Sequence, residues 1–275
     1  MISKEQLDLA WNIATHDRLA QKYERMHGEI YNDFEQNRLK NELAAAIALI
    51  ETHSEAKVVL DFGCGAGNLT RHLSNLQCEV IASDISSGFL KLVASRKYSQ
   101  RVVTIQLNGV DLSNVADESV DMVATYSVLH HVPDYLAVLS EFMRVLKPGG
   151  VVYIDHEPSE AYWTGSAVYE QFKAEMNRKV PRDYKKYLVL SNYYDWLIRR
   201  FVNPRYHREG DIHVFDDDHV EWQKVVASLE NLGGKILVSR SYLLYRRQYC
   251  QEIYNRYCEE VSDMHVLVMR KQYGG

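Results

Sequence analysis

The sequence predicts an α/β fold: an open, doubly wound, mostly parallel sheet with helices on both faces. Three observations predict it. The apolar run Val58-Val59-Leu60 suits a strand buried on both faces and breaks at once into Gly63, Gly65 and Gly67, after which Asn68-Leu69-Thr70-Arg71-His72-Leu73 resumes as a helix. One strand–helix unit later a second apolar segment, Glu79 to Ser83, ends on an acid, Asp84. Apolar strands and helical segments then alternate to about residue 157.

Taken in order, residues 3 to 24 read as helical, and Asp33 to Glu51, rich in Leu, Ala and Ile at helical spacing, is a stronger helix. The glycine turn follows the first strand. Glycines there permit backbone angles and close ligand approach that a Cβ forbids. The spacing G-x-G-x-G differs from the G-x-G-x-x-G of dinucleotide loops, and Asp61 stands before the first glycine, where it would repel a pyrophosphate but attract a cation. After Asp84 a helix runs to about Arg96, with Arg101 to Leu107 as the third strand and Asn108-Gly109-Val110-Asp111 behind it. Ser119 to Thr125 is the fourth strand and leads into Tyr126-Ser127-Val128-Leu129-His130-His131. Asp134 to Leu146 is a helix, Lys147-Pro148-Gly149-Gly150 a glycine turn, and Val151 to Asp155 the fifth strand. Lys235 to Leu244 and His265 to Arg270 read as the closing strand pair, with Tyr245 to Glu260 a helix or long excursion between them.

Composition narrows the function classes. A chain of 275 residues suits one elaborated domain, and its net charge of −5 argues against binding nucleic acid over the whole surface. No apolar run reaches the roughly 20 residues that span a bilayer, and the N-terminus lacks signal-peptide order, so a cytoplasmic protein is expected. Cys64, Cys78, Cys250 and Cys258 form no C-x-x-C pair and read as free thiols. His130 and His131 lack a third ligand at a recognisable spacing, so no metal is expected.

Asp61-Phe62-Gly63-Cys64-Gly65-Ala66-Gly67 resembles the first motif of the class I S-adenosylmethionine-dependent methyltransferases, and the order and spacing of the segments to Gly150 match that family as well. The resemblance implies a Rossmann-like, seven-stranded sheet with an antiparallel last strand. It implies S-adenosylmethionine as cofactor and S-adenosylhomocysteine as product. Asp61, Gly63, Cys64, Gly65, Gly67 and Asn68 would meet the cofactor, with Asp84 on the ribose hydroxyls and Ile85 beside it. Asp111 would serve the adenine, although an ungapped comparison puts Gly109 at that position. Tyr126 and Ser127 would form the floor, and Tyr23 and Tyr31 a lid. The chain then divides into a lid segment (1–52), the cofactor-binding core (53–157), an inserted helical cap (158–232) and terminal strands (233–275).

A methyl donor that is already an activated electrophile needs mainly positioning and, for a hydroxyl or ammonium acceptor, a base. His130 leaves the fourth strand and His156 and Glu157 the fifth, so these three are the candidate catalytic residues, with His156 ranked first. The cap is crowded with aromatic and basic residues, and Tyr162, Trp163, Tyr194, Arg199 and Arg200 are its candidate acceptor contacts. The expected activity is methyl transfer to an O or N nucleophile of a small anionic or aromatic metabolite. An RNA or lipid-linked acceptor, a non-catalytic cofactor-binding regulator and a nicotinamide oxidoreductase are the alternatives. An oligomer is left open.

Overall fold

The computed structural model describes residues 13, 17, 23–179, 193, 196, 197, 200, 201 and 220–273. Its strands are β1 (Val58–Phe62), β2 (Glu79–Asp84), β3 (Val102–Gln106), β4 (Val120–Tyr126), β5 (Leu146–Pro158), β6 (Gly234–Tyr242) and β7 (Met264–Lys271). They form one sheet in the order β3-β2-β1-β4-β5-β7-β6, parallel from β3 to β5, with β7 inserted antiparallel to both β5 and β6. The order reverses between β1 and β4. That switch point opens a crevice beyond the strands' carboxyl ends.

The helices are α1 (Tyr23–Met26), α2 (Asp33–Ala48), α3 (Asn68–Asn75), α4 (Ser87–Ala94), α5 (Tyr135–Val145), α6 (Glu160–Thr164), α7 (Ala167–Lys179), α8 (Trp222–Asn231) and α9 (Gln251–Tyr257). Three starts are capped as their sequence directs: the Asn32, Ser86 and Asp134 side chains accept from Glu35 N, Phe89 N and Ala137 N. Leu39, Leu43 and Ala46 of α2, with Leu69 and Leu73 of α3, cover one face of the sheet. Leu139, Phe142 and Met143 of α5, with Trp222, Val225 and Leu229 of α8, cover the other.

Two segments differ from expectation. Lys147 to Gly150, expected as a turn ahead of the fifth strand, lies inside β5, which runs unbroken from Leu146. Gly149 supplies the local kink with φ of +78°, and a Cβ there would press on the Tyr273 ring, so the glycine lets the C-terminal segment pass over the strand. Trp222–Asn231, expected as the end of the cap, is part of the sheet's own helical layer, because its apolar side chains face α5 and β6. Most of the expected helix over residues 3 to 24 and most of the cap beyond residue 179 lie outside the described residues.

Candidate active site

The crevice holds a cavity of about 190 Å³ beyond the carboxyl ends of β1, β2 and β4. Asp61, Gly63, Cys64, Gly65, Asn68, Asp84, Ile85, Asp111, Tyr126, Ser127, Tyr23 and Tyr31 all line it. Of the residues expected to meet the cofactor, Gly67 alone does not; at φ of +81° it precedes α3 and turns the chain into that helix.

The two acids at the strand ends are held differently. Asp61 is buried; its Oδ2 accepts from Thr70 Oγ1 at 2.5 Å, whereas Oδ1 is buried with no hydrogen-bond partner among the described residues. Burial pushes this carboxyl up to about 7, with the Thr70 hydroxyl opposing the shift and the neighbouring Asp84 adding to it. A cation placed against Oδ1 would reverse that cost. Asp84 accepts from Gly65 N at 2.9 Å through Oδ2 and from Ser86 N at 2.8 Å through Oδ1. It therefore braces the glycine loop, while the capping of α4 falls to Ser86. A Cβ on Gly65, whose φ is +47°, would meet no protein atom within 4 Å, so the loop presents bare backbone to the cavity.

Asp111 stands at the exposed rim, where its carboxylate accepts from Asn108 Nδ2 and Ser113 N, and these bonds keep its pKa low. Leu107, Gly109, Val110 and Leu112 surround it on the cavity wall. The lid segment is drawn in from the other side: Tyr23 packs edge-on against Phe89, and Asp17 accepts from Ser86 Oγ and Gly88 N at the start of α4.

The three candidate catalytic residues gather at the ends of β4 and β5 without lining the cavity. Glu157 is buried and accepts from Val128 N (2.7 Å), Leu129 N (2.8 Å), His130 N (3.3 Å) and His130 Nδ1 (2.7 Å). Backbone N–H groups only donate, so Glu157 serves them as a carboxylate and fixes the proton of His130 on Nδ1. His156 sits at a bulge in β5 with φ of +60° and stacks on Tyr126 at 4.6 Å. Both its ring nitrogens are buried without a partner, and burial lowers its pKa to about 4. Ser127 also has φ of +60°, and left-handed backbone in a non-glycine residue is a strain that clusters at functional sites.

Of the acceptor candidates, Tyr162, Trp163 and Arg200 are described, and none of these three lines the cavity. Tyr162 and Trp163 pack edge to face on α6, and Arg200 lies exposed over the Phe201 ring. Tyr194 and Arg199 lie outside the described residues. Sequence reasoning missed Arg38, which donates to Glu35 Oε2 at 2.6 Å and to Asp155 Oδ2 at 3.0 Å beneath Tyr126. Its available signal was the Glu35/Arg38 pair, three residues apart, bordering the buried Leu39–Leu43 stripe of α2. Among the described residues no cluster of His, Cys, Asp and Glu is placed to hold a metal.

A glycine-loop cavity at the switch point of this sheet, with acids closing β1 and β2, defines the class I methyltransferase fold. Residues 60–154 match the family model described as a methyltransferase domain. A Mesorhizobium loti S-adenosylmethionine-dependent methyltransferase superposes with a TM-score of 0.54 at 16% identity, covering 84% of this chain and 97% of that one, a likeness of fold. The ubiquinone biosynthesis O-methyltransferase of Xanthomonas campestris pv. campestris is 30% identical over 146 residues, 50% of this chain and 59% of that protein. The malonyl-[acyl-carrier protein] O-methyltransferase of Yersinia pestis is 34% identical over 95 residues, 34% of each chain. Residues 60–154 thus match a methyltransferase domain, and the sheet as a whole has the fold of the S-adenosylmethionine-dependent methyltransferases. The chain spans 59% of the length of the Xanthomonas relative.

Proposed function

We propose that this chain transfers a methyl group from S-adenosylmethionine to an O or N nucleophile of a small molecule. The buried, partnerless Oδ1 of Asp61, in a cavity wall shared with the glycine loop, carries the reading, because a cationic ligand would stabilise the carboxylate that burial alone disfavours. The residues present fit the cofactor. Asp61 and the backbone of Gly63 and Gly65 would hold its amino-acid part, Asp84 its ribose, and the wall from Leu107 to Leu112 its adenine. When bound, the cofactor supplies an activated methyl group.

The protein's own work is then to exclude water, position the acceptor and accept a proton. Tyr23, Ile30 and Tyr31 close the cavity from the lid side, which favours exclusion of water. For the proton, two features support His130 over His156. His156, held neutral with a pKa of about 4, is a weak base near pH 7. His130, with its Nδ1 proton held by Glu157, directs its basic nitrogen away from the carboxylate, and Glu157 acts through it as a positioning residue. Incubating the protein with S-adenosylmethionine labelled in the methyl group and fractionated metabolite extracts should yield a labelled product and one equivalent of S-adenosylhomocysteine. Saturable cofactor binding with no turnover in any fraction would instead mark a silent cofactor binder.

A further inference from the structure

Gln36, in the first turn of α2, is not part of the cavity wall, yet its side-chain amide is fully used. Its Nε2 donates to the Ile30 carbonyl and to Asn68 Oδ1, each at 3.1 Å. Its Oε1 accepts from Arg71 Nη2 at 2.8 Å and meets His72 Nε2 at 2.9 Å. A guanidinium only donates and a peptide carbonyl only accepts, so the Gln36 amide has one possible orientation. Ile30 belongs to the lid and Asn68 opens α3, and both line the cavity. One side chain thus ties the lid to the helix that leaves the glycine loop.

The orientation of Gln36 dictates that of Asn68. Because Nε2 donates, the Asn68 atom that meets it is the carbonyl oxygen, and the NH2 group is left over. Asn68 is 8% exposed, and its Nδ2 is buried with no hydrogen-bond partner among the described residues. Buried amide donors are normally paired, so this one marks a place where a ligand bonds. The surroundings select an anionic acceptor. Asn68 is the first residue of α3, and the N-cap, Gly67, has no side chain to accept from the first N–H groups, so the positive end of the helix stands beside the spare NH2. Asp61, on the same wall, has the opposite need, an acceptor oxygen with no donor.

We propose that Gln36 is a positioning residue of the cofactor site. It holds the Asn68 amide so that the NH2 group, not the carbonyl, is left for the carboxylate of the cofactor's amino-acid part, while Asp61 takes the ammonium. A reversed Asn68 would offer an oxygen to that carboxylate and repel it. Through the Ile30 carbonyl the same amide joins this choice to the lid, so the two walls are set together. This rests on reading the cavity as an S-adenosylmethionine site and adds to it a residue outside the cavity wall.

The test compares two probes by calorimetry on the full chain: S-adenosylhomocysteine, and methylthioadenosine, which keeps the nucleoside and the thioether but has neither the carboxylate nor the ammonium. Gln36→Glu keeps an acceptor for Arg71 and His72 and loses the donor to Asn68, so the Asn68 amide turns over. S-adenosylhomocysteine affinity should fall about tenfold, the range of one hydrogen bond to a charged group, while methylthioadenosine affinity stays within about twofold. In an Asn68→Ala background the same change should cost less than about twofold with either probe, because Gln36 then has nothing to orient. Gln36→Met, which leaves Asn68 unconstrained, should weaken S-adenosylhomocysteine about threefold and gives a second reading should Gln36→Glu fold poorly. Unchanged S-adenosylhomocysteine affinity in both Gln36 variants, an equal loss for the two probes, or a loss that persists in the Asn68→Ala background overturns the assignment. If S-adenosylhomocysteine fails to bind the unaltered chain at millimolar concentration, the cofactor reading falls and the role of Gln36 with it. If it binds and only the Gln36 effects are missing, the cofactor reading stands alone.

Discussion

The two ends of the cavity are built on opposite plans. At the β1–β2 end, Asp84 is spent on backbone N–H groups that brace the glycine loop, and one carboxylate oxygen, Asp61 Oδ1, is left bare. At the β4–β5 end, a buried network spends Asp155 on Arg38, Tyr153, Tyr242 and its own chain, while both ring nitrogens of His156 stay without a partner among the described residues. The first end leaves an open, glycine-lined cavity beside a bare carboxyl oxygen, whereas the second is a packed polar network that does not reach the cavity except through Tyr126.

The largest effect should come from breaking the loop at the first end. Gly65→Val places a branched side chain on backbone at φ of +47° and in the space the cofactor would fill, so S-adenosylmethionine affinity should fall about a hundredfold or more. Because no protein atom stands near that Cβ, the folded fraction should suffer less than binding; thermal melting and calorimetry on one preparation separate the two. Normal affinity would remove the loop from the site.

Glu157→Gln strikes the second end. Its amide would turn an NH2 toward backbone N–H groups or abandon the His130 ring, so turnover should drop about 10- to 100-fold and the acidic limb of the pH profile should change shape. Cofactor affinity should move by much less. A parallel loss in cofactor affinity and turnover would mean that Glu157 only supports the turn from Val128 to His130.

A smaller effect is expected for Asp84→Asn, which keeps the shape but weakens the charge-assisted bonds to the ribose and the loop, costing about 1.5–3 kcal/mol of cofactor binding. Asp84→Ala should also lose stability, since Gly65 N–H and Ser86 N–H would lose their acceptor. Calorimetric affinity unchanged in Asp84→Asn would place the ribose elsewhere.

Much of the first end was legible in the sequence because its parts are local. Asp61, the glycines and Asn68 lie within eight residues, and the Asp84 that braces them ends the very next strand. The second end is assembled across the chain. Arg38 meets Asp155 over a separation of 117 residues, and Glu157 reaches back 29 residues to Val128. No periodicity records such pairings. Nor does any residue type announce that His156 sits on a bulge with positive φ, since only the register of β5 against β7 creates it. The seven strands themselves were readable as apolar runs; the continuation of β5 back to Leu146 was not, because Lys147-Pro148-Gly149-Gly150 has the composition of a turn.

The pH dependence of S-adenosylmethionine binding tests the central claim most directly. In the ligand-free protein Asp61 holds its proton up to about pH 7, so its folded-state pKa lies above the unfolded value of 3.8 and its contribution to stability is lost as pH rises through that window. A cationic ligand needs the carboxylate, so the linkage for binding runs the other way. Calorimetry from pH 5.5 to 8.5, a range chosen to bracket the transition at about 7, should show affinity rising with pH by up to about tenfold per unit and levelling above the transition. Asp61→Asn should bind more weakly at high pH and show a flattened profile. Wild-type affinity independent of pH, or an Asp61→Asn variant that keeps both the affinity and the slope, would contradict the assignment of Asp61 as the anion that receives the cofactor.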